Sequence, residues 1–383
     1  MGKNNFQQIL IAILSDTLNC RVENSAIKEQ ITNENILPVC KLAQKHNLAH
    51  IVSNFIYVNK IQIDDKIKAK LQHEEFISVF KYEQINYATN EICNIFQKEN
   101  IAHIKLKGSV IRKYYPSENM RTSCDIDILI KPEDIDRAVE VLKINGYSYI
   151  KKGYHDILLC SPNSVNVELH FNLLENNVNL DTVLRDAWQN TQLLNGCQYE
   201  FTNEFFVFHM FAHMAYHFLN GGCGVRSLMD IWVMEHKMGL TYSCAVNLLK
   251  KAGIYKFAVE MTNIANFCFD GKKIKISNEV LRFIINGGIY GSRINNIAVH
   301  KSKINSTFVY VIKRLFLPCN LMEITYPILK KAPYLLPFYW IIRWIKGIKK
   351  GKTKKLSSEI ECAKKISKET VNETKKIRSR LGL

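Results

Sequence analysis

The chain has 383 residues, of which 47% are hydrophobic and 23% charged, and its formal net charge is +17. This length allows two or three packed units, because single cores rarely exceed about 250 to 300 residues, and the composition excludes a disordered or fibrous protein. Eleven cysteines without a CxxC pair argue against a disulfide framework or a zinc knuckle, and predict reduced thiols and a cytoplasmic location.

The first hundred residues have the pattern of amphipathic helices. Apolar positions recur at spacings of three and four in ILPVCKLAQKHNLAHIVSNFI and again in FISVFKYEQINYATNEICNIF. That spacing places the apolar side chains on one face of a helix. We therefore expect an N-terminal helical region over residues 1–100.

The pattern changes to short strands after residue 100. IAHIKLKG is a short alternating stretch, CDIDILI alternates strictly, and HDILLC and VNVELHF are two further candidate strands separated by the turn-forming SPNS. Between the second and third strands, DRAVEVLKINGY predicts a helix that stops at Asn-Gly. We expect residues 101–200 to form a small mixed-sheet core embedded between helical regions, which is an α+β fold.

Two carboxylates share one face of the predicted strand CDIDILI. Asp125 and Asp127 lie at positions i and i+2, so both project from the same side of the strand. Like charges this close repel each other unless a cation or a raised pKa relieves them. Mg²⁺, which a few carboxylates and substrate phosphates can hold, is the natural partner. An Asp-x-Asp pattern alone is weak evidence, because many strand ends and surface turns contain it.

The segment LKGSV, residues 106–110, places Gly108 and Ser109 where a strand passes into the helix IRKYYPSEN. A glycine there permits close approach of the backbone, and unpaired N–H groups at a helix start can hold phosphate oxygens. The pair therefore predicts a phosphate site. An ordinary helix N-cap is the alternative.

A two-metal centre requires a further carboxylate, and Glu168 in VNVELHF is the candidate. Strand periodicity places it on one face with Asn166 and His170. If this strand lies beside CDIDILI, Glu168 joins Asp125 and Asp127. The alternative is a surface glutamate on an edge strand, and His170 either contacts the substrate or sits at the sheet rim.

The order of these motifs resembles the polymerase β-like nucleotidyltransferase superfamily. More narrowly, LKGSVIRKYYPSENMRTSCDIDILI looks like a bacterial family of poorly characterised nucleotidyltransferases with a lysine-glycine corner, a Tyr-Pro and an Arg shortly before Asp-Ile-Asp. The match covers about residues 103–172. HMAYHFLNGGCGVRSLMDIWVM is also similar to the histidine-rich helix, glycine stretch and Arg-x-x-x-Asp that such proteins carry.

The resemblance implies Mg²⁺ or Mn²⁺ as cofactor and a nucleoside triphosphate, such as ATP, as donor. It implies metal ligation by Asp125, Asp127 and Glu168, and phosphate contact by Gly108 and Ser109.

Two basic residues flank this constellation. Lys107 and Arg121 are chemically suited to neutralise phosphate charge, and Arg121 could do so with a bidentate grip. Surface solvation is the alternative for each of them.

Residues 201–300 return to a helical pattern. His209, His213 and His217 recur every four residues, which places them on one helix face. No HExxH motif accompanies them, so we expect buried or cleft-lining histidines rather than a zinc site. GGCGVR, residues 221–226, lacks the preceding strand and the GKS or GKT end of a phosphate loop, and we interpret it as a helix–helix connection.

Residues 301–383 are first apolar and then basic. APYLLPFYWII is eleven residues long, shorter than the roughly 20 apolar residues of a membrane span. From residue 341 to the end there are fourteen Lys or Arg and four Glu, a net charge of +10. Two interpretations stay open: a helix packed on the body with a basic outer face, or an interfacial helix formed by Trp340 and Trp344 beside Arg343, Lys346, Lys349 and Lys350.

The leading hypothesis is transfer of a nucleoside monophosphate from a nucleoside triphosphate to an acceptor hydroxyl that the sequence does not identify, with release of pyrophosphate. One alternative is a non-catalytic nucleotide or nucleic-acid binding module that uses the basic end, although retention of all three carboxylates speaks against it. The other is a membrane-peripheral accessory protein in surface-glycan or peptide biosynthesis, attached to an anionic membrane surface through the same end.

Overall fold

The computed structural model of the chain describes residues 4–271, 276–289, 291, 293–304, 309, 312, 315–349, 361–362 and 365–383. It has an α+β fold with a seven-stranded mixed sheet, as the sequence predicts. None of the helices in these ranges combines the length and the apolar character needed to cross a membrane. Lys350, which the sequence assigns to the basic segment, lies outside the described residues.

The N-terminal helices confirm the predicted amphipathic pattern. Side-chain caps define the starts of α2 and α4: Thr32 and Asn35 form a reciprocal capping box, and Asp64 accepts a hydrogen bond from the Lys66 N–H. The helices are α1 (Asn4–Leu18), α2 (Asn33–Lys45), α3 (Ala49–Val58) and α4 (Asp65–Lys98).

The sheet has the strand order β3-β4-β5-β2-β1-β7-β6. Strand β2 lies near its centre, parallel to β5 and antiparallel to β1. The four predicted strands are present, and β3, β6 and β7 are additional. The strands are β1 (His103–Lys105), β2 (Asp125–Ile130), β3 (Ser148–Lys152), β4 (Asp156–Cys160), β5 (Asn166–His170), β6 (Thr191–Asn195) and β7 (Gln198–Phe201).

The two faces of β2 meet different cores. Ile126, Ile128 and Ile130 are fully buried in a core with side chains of α4 and of α6 (Ile135–Ile144). The opposite face carries Asp125, Asp127 and Leu129, and Leu129 enters a second, larger core. The carboxylates therefore lie at the edge of that helical core. The short helix α5 (Lys107–Ile111) follows β1 on this side.

The larger core joins helices that are far apart in sequence. It includes side chains of the N-terminal helices, of the helices that follow the sheet, and Ile377 and Leu381 near the C-terminus. The residues between α8 and α9 confirm the predicted helix–helix connection. The helices are α7 (Val178–Leu184), α8 (Asn203–Leu219), α9 (Val225–Lys237), α10 (Val246–Lys251), α11 (Tyr255–Asp270), α12 (Asn278–Gly287), α13 (Arg293–Ile304), α14 (Cys319–Thr325), α15 (Leu336–Lys349) and α16 (Lys368–Leu381).

A buried histidine links three of these segments. His46 follows α2, donates from Nε2 to the Ile285 carbonyl at 2.8 Å, and accepts at Nδ1 from the Val225 N–H at 3.2 Å. A Cβ at Gly224 would lie 3.1 Å from His46 Nδ1, so glycine permits this approach. Both ring nitrogens are used by the neutral imidazole, and burial lowers the pKa of His46. Protonation would therefore break the bond from Val225.

We expect His46→Ala to lower the free energy of unfolding by about 1–3 kcal/mol, because two buried backbone groups lose their partners. The lowered pKa of His46 also predicts how stability depends on pH. The contribution of His46 is complete above about pH 6.5, the pKa of a histidine in an unfolded chain, and is lost as the pH falls below that value. Urea unfolding at neutral and mildly acidic pH measures both effects. The exposed His73→Ala is the matched control, and equal losses in the two variants would contradict the assignment.

Candidate active site

Parallel pairing of β2 and β5 brings the predicted carboxylates together. Asp127 lies directly opposite Glu168, and Asp125 lies opposite Asn166. The predicted adjacency of the two strands is thus confirmed. Residues directly opposite each other in paired strands project to the same side of a sheet, and so do residues two positions apart in one strand. The three carboxylates therefore line one face.

These carboxylates form the floor of a cleft of about 350 Å³ between the sheet and helices α8 and α9. Residues of α5 lie at one side of the cleft. Helices α8 and α9 form the wall opposite the carboxylates and contribute basic side chains and imidazoles. The polar side chains lining the cleft include those of Lys107, Ser109, Arg121, Asp125, Asp127, His155, Glu168, His170, Glu175, His213, His217 and Arg226.

The predicted phosphate corner lies in the first turn of α5. Lys107, Gly108 and Ser109 all line the cleft beside the carboxylates. A Cβ at Gly108 would lie 3.0 Å from Nη1 of Arg121, which is tighter than ordinary van der Waals contact. Glycine at this position therefore lets the Arg121 side chain pass close to the backbone of the corner.

The carboxylates have unequal pKa values. Burial and the neighbouring Asp127 raise the pKa of Asp125, and the same two causes raise that of Glu168 to about 7. For Asp127, burial acts in the same direction, but the Lys107 ammonium and the His170 imidazole outweigh it and lower the pKa. Asp127 is consequently the carboxylate that the surroundings hold in its charged form.

His170 belongs to the carboxylate cluster. Its Nε2 lies 3.0 Å from Oδ1 of Asp127 and 3.7 Å from Oε2 of Glu168. Burial would lower the pKa of His170, but the hydrogen bond and charge of Asp127 raise it. The sequence left open whether His170 contacts the substrate or sits at the sheet rim. In the structure His170 lines the cleft and contacts Asp127.

The donor atoms of this cluster fit a divalent ion. One ligand atom from each of Asp127, Glu168 and His170 lies within 4.8 Å of the other two. Carboxylate oxygens suit Mg²⁺ and Mn²⁺, whereas the imidazole nitrogen is more typical of a transition metal. By its chemistry this donor set suits either ion through the two carboxylates, and the imidazole is better matched to Mn²⁺ than to Mg²⁺.

Arg121 makes its bidentate contact with a protein carboxylate. Its Nε and Nη2 donate to Asp230 of α9 at 3.2 and 2.8 Å, and Tyr115 donates to the same carboxylate at 2.7 Å. The Arg121 and Asp230 side chains are 10% and 7% exposed. Phosphate contact by Arg121 stays a prediction, since the bidentate grip expected for phosphate is made with Asp230.

Several cleft residues were not singled out from the sequence. Glu175 follows β5, and burial raises its pKa to about 7. His155 stacks on His170 with ring centroids 5.4 Å apart, and Arg226 donates to the Thr122 carbonyl at 2.9 Å. The Arg-x-x-x-Asp pattern was the sequence signal for Arg226, whereas a lone glutamate in a loop carries none.

The three helical histidines are buried or line the cleft, as predicted. His209 is buried, and burial lowers its pKa to about 3. His213 and His217 line the cleft with their Nε2 atoms 2.9 Å apart. Burial and the nearby Lys107 lower both of their pKa values, that of His217 to about 4. The helical wall thus presents neutral imidazoles near neutral pH.

The mixed sheet with its carboxylate-lined cleft agrees with the nucleotidyltransferase class that the sequence motifs predict. The chain belongs to the family described as uncharacterised nucleotidyltransferase, whose family model matches residues 32–270. The matched segment runs from the start of α2 to the end of α11, so it includes the sheet and both helices of the cleft wall. No curated protein and no solved structure matches the chain.

We expect Asp230→Ala to lower the free energy of unfolding by about 3–5 kcal/mol, because it leaves the buried Arg121 charge without its carboxylate. Tyr115→Phe removes one hydrogen bond and should cost about 1 kcal/mol. Urea denaturation measures both changes. The control is Asp134→Ala, which breaks a more exposed ion pair with Arg137 and should have little effect. A loss in Asp230→Ala no larger than in this control would show that the buried pair does not stabilise the fold.

Proposed function

We propose that the protein transfers a nucleoside monophosphate from a nucleoside triphosphate to an acceptor hydroxyl and releases pyrophosphate. Asp125, Asp127 and Glu168 would hold the divalent ion, Mg²⁺ or Mn²⁺. The observation that carries the proposal is the direct opposition of Asp127 and Glu168 in paired strands at the base of the cleft. Membership of the nucleotidyltransferase family supports it independently.

The two sides of the cleft suit different parts of the donor. Lys107, Gly108 and Ser109 lie beside the carboxylates and are suited to contact the phosphates. Arg226 of the helical wall adds a second positive charge to the cleft. The Arg121 guanidinium packs closely against Gly108 of the proposed phosphate site. These groups would orient the triphosphate with its α-phosphorus towards the carboxylate face.

The reaction requires little covalent chemistry from the protein. The acceptor oxygen forms a bond to the α-phosphorus, the bond from the α-phosphorus to the bridging oxygen breaks, and pyrophosphate leaves with that oxygen. The proton of the acceptor hydroxyl passes to a carboxylate of the cleft. A divalent ion held by Asp125, Asp127 and Glu168 would stabilise the charge that develops on the phosphoryl oxygens. The residues contribute mainly by positioning and electrostatics.

We expect the purified protein to transfer label from α-phosphate-labelled nucleoside triphosphates in the presence of Mg²⁺ and a cell extract. Asp125→Asn and Asp127→Asn should reduce the initial rate by at least about a hundredfold, since each removes a charge from the ion site. The control is Asp136→Asn on the exposed surface of α6, which should retain the wild-type rate. Label transfer that persists undiminished in both cleft variants would contradict the mechanism, and nucleotide binding without transfer would favour the non-catalytic alternative.

We expect Lys107→Ala to raise the KM for the triphosphate by about ten- to a hundredfold, because it removes a charge-assisted contact to phosphate worth about 1.5–3 kcal/mol. Steady-state kinetics at several concentrations of the triphosphate measure the change. Lys113→Ala, an exposed lysine just after α5, is the control and should leave the KM unaltered. An unchanged KM in Lys107→Ala would remove this residue from the phosphate site.

A further inference from the structure

Helix α15 turns an apolar face outward. At about 100° per residue, Phe338, Ile341 and Ile345 lie within an arc of about 60°. A surface helix of a globular protein normally has the opposite arrangement, with its apolar side against the core and its polar side in water. The exposed fractions of the large apolar side chains on this face and just before it are 79% for Tyr334, 60% for Phe338, 50% for Ile341 and 50% for Ile345.

The inward side of α15 is tied to the segment before α14. Trp340, Arg343 and Trp344 donate hydrogen bonds to backbone carbonyls of that segment at 2.8, 3.1 and 3.1 Å. Phe316 packs edge-on against both tryptophan rings, with centroids 5.0 and 5.1 Å apart. The tryptophans that the sequence assigns to an interfacial helix therefore fix the orientation of α15 against residues 315–317, and Phe338, Ile341 and Ile345 are left outward.

The outward face is bordered by positive charge. Lys346 is exposed next to Ile345 and lies over the Tyr326 ring, with its Nζ 5.2 Å from the centroid. The chain from residue 341 to its end has a net charge of +10. Among the described side chains of residues 336–347 the other outward positions are apolar.

A second exposed aromatic pair has a different charge environment. Phe76 and Phe80 of α4 stack with their centroids 6.2 Å apart and are exposed. From residue 71 to residue 83 the chain has three glutamates and one lysine, the exposed Lys81 directly after Phe80, which gives a net charge of −2. An anionic surface would be repelled there, whereas the surroundings of α15 would attract it.

We propose that the outward face of α15, formed by Phe338, Ile341 and Ile345, docks on an anionic lipid surface together with Tyr334 just before the helix. The apolar side chains enter the boundary between headgroups and acyl chains, and the basic C-terminal segment is attracted to the lipid charge. A helix with exposed aromatic and aliphatic side chains beside lysines has the composition of such an interfacial contact. The enzyme would then act on acceptors at or near a membrane surface.

The test is flotation of the full chain with vesicles of phosphatidylcholine containing roughly 30% phosphatidylglycerol. The wild type should partition at least about tenfold more strongly onto these vesicles than onto phosphatidylcholine alone, and high salt should weaken its binding. The triple variant Phe338→Ser, Ile341→Ser, Ile345→Ser should lose at least about tenfold in partitioning. The matched control Phe76→Ser, Phe80→Ser should bind as the wild type does.

Equal binding by the triple variant and the wild type would overturn the proposal, as would a wild type that stays off anionic vesicles or that binds RNA instead. A conservative variant covers the case of a misfolded triple variant. Phe338→Trp should show a blue shift of tryptophan emission on addition of anionic vesicles, beyond any change in the wild type, and an absent shift would contradict insertion of this face. No nucleotide is needed, so the outcome is independent of the proposed transfer reaction.

Discussion

Electrostatic repulsion between Asp127 and Glu168 is the constraint around which the cleft is built. The parallel pairing of β2 and β5 fixes their positions, so the repulsion can be relieved only by protonation or by nearby positive charge. Lys107 and His170 supply that charge to Asp127, while burial and Asp127 raise the pKa of Glu168 to about 7. A divalent ion would stabilise both carboxylates in their charged forms, and this is the physical reason for proposing one at this site.

The helical layer holds the other side of this arrangement in place through buried polar contacts. Asp230 of α9 accepts hydrogen bonds from Arg121 and Tyr115, both in the segment between α5 and β2. Arg226, one turn earlier on α9, donates to the carbonyl of Thr122 in the same segment. This segment connects α5 to β2, so these contacts hold it against α9 between the two elements that carry the candidate site residues.

The features that depend on local periodicity could be predicted from the sequence. Alternation in CDIDILI gave the strand, its buried face and the shared direction of Asp125 and Asp127, and that in VNVELHF gave the face of Glu168. Long-range partners could not be read in this way: Asp230 as the partner of Arg121 depends on how α9 packs.

The strands that were not predicted lack a buried alternating pattern. All five residues of β3 are exposed, so its sequence carries no apolar periodicity. The hairpin of β6 and β7 turns at Gly196 and Cys197, but four of the five β6 residues are exposed. Which face of α15 points outward likewise depends on the backbone carbonyls to which Trp340 and Trp344 donate hydrogen bonds. Amino-acid composition alone does not specify those partners.

The most direct test of the central claim is a titration of the protein with Mn²⁺ followed by electron paramagnetic resonance, with and without a nucleoside triphosphate. The account predicts that the wild type removes Mn²⁺ from the free-ion signal, more strongly when the triphosphate is present, and that a variant combining Asp127→Asn and Glu168→Gln does not. Equal loss of the free-ion signal in both proteins, or no loss in the wild type, would contradict the assignment of the ion to these carboxylates.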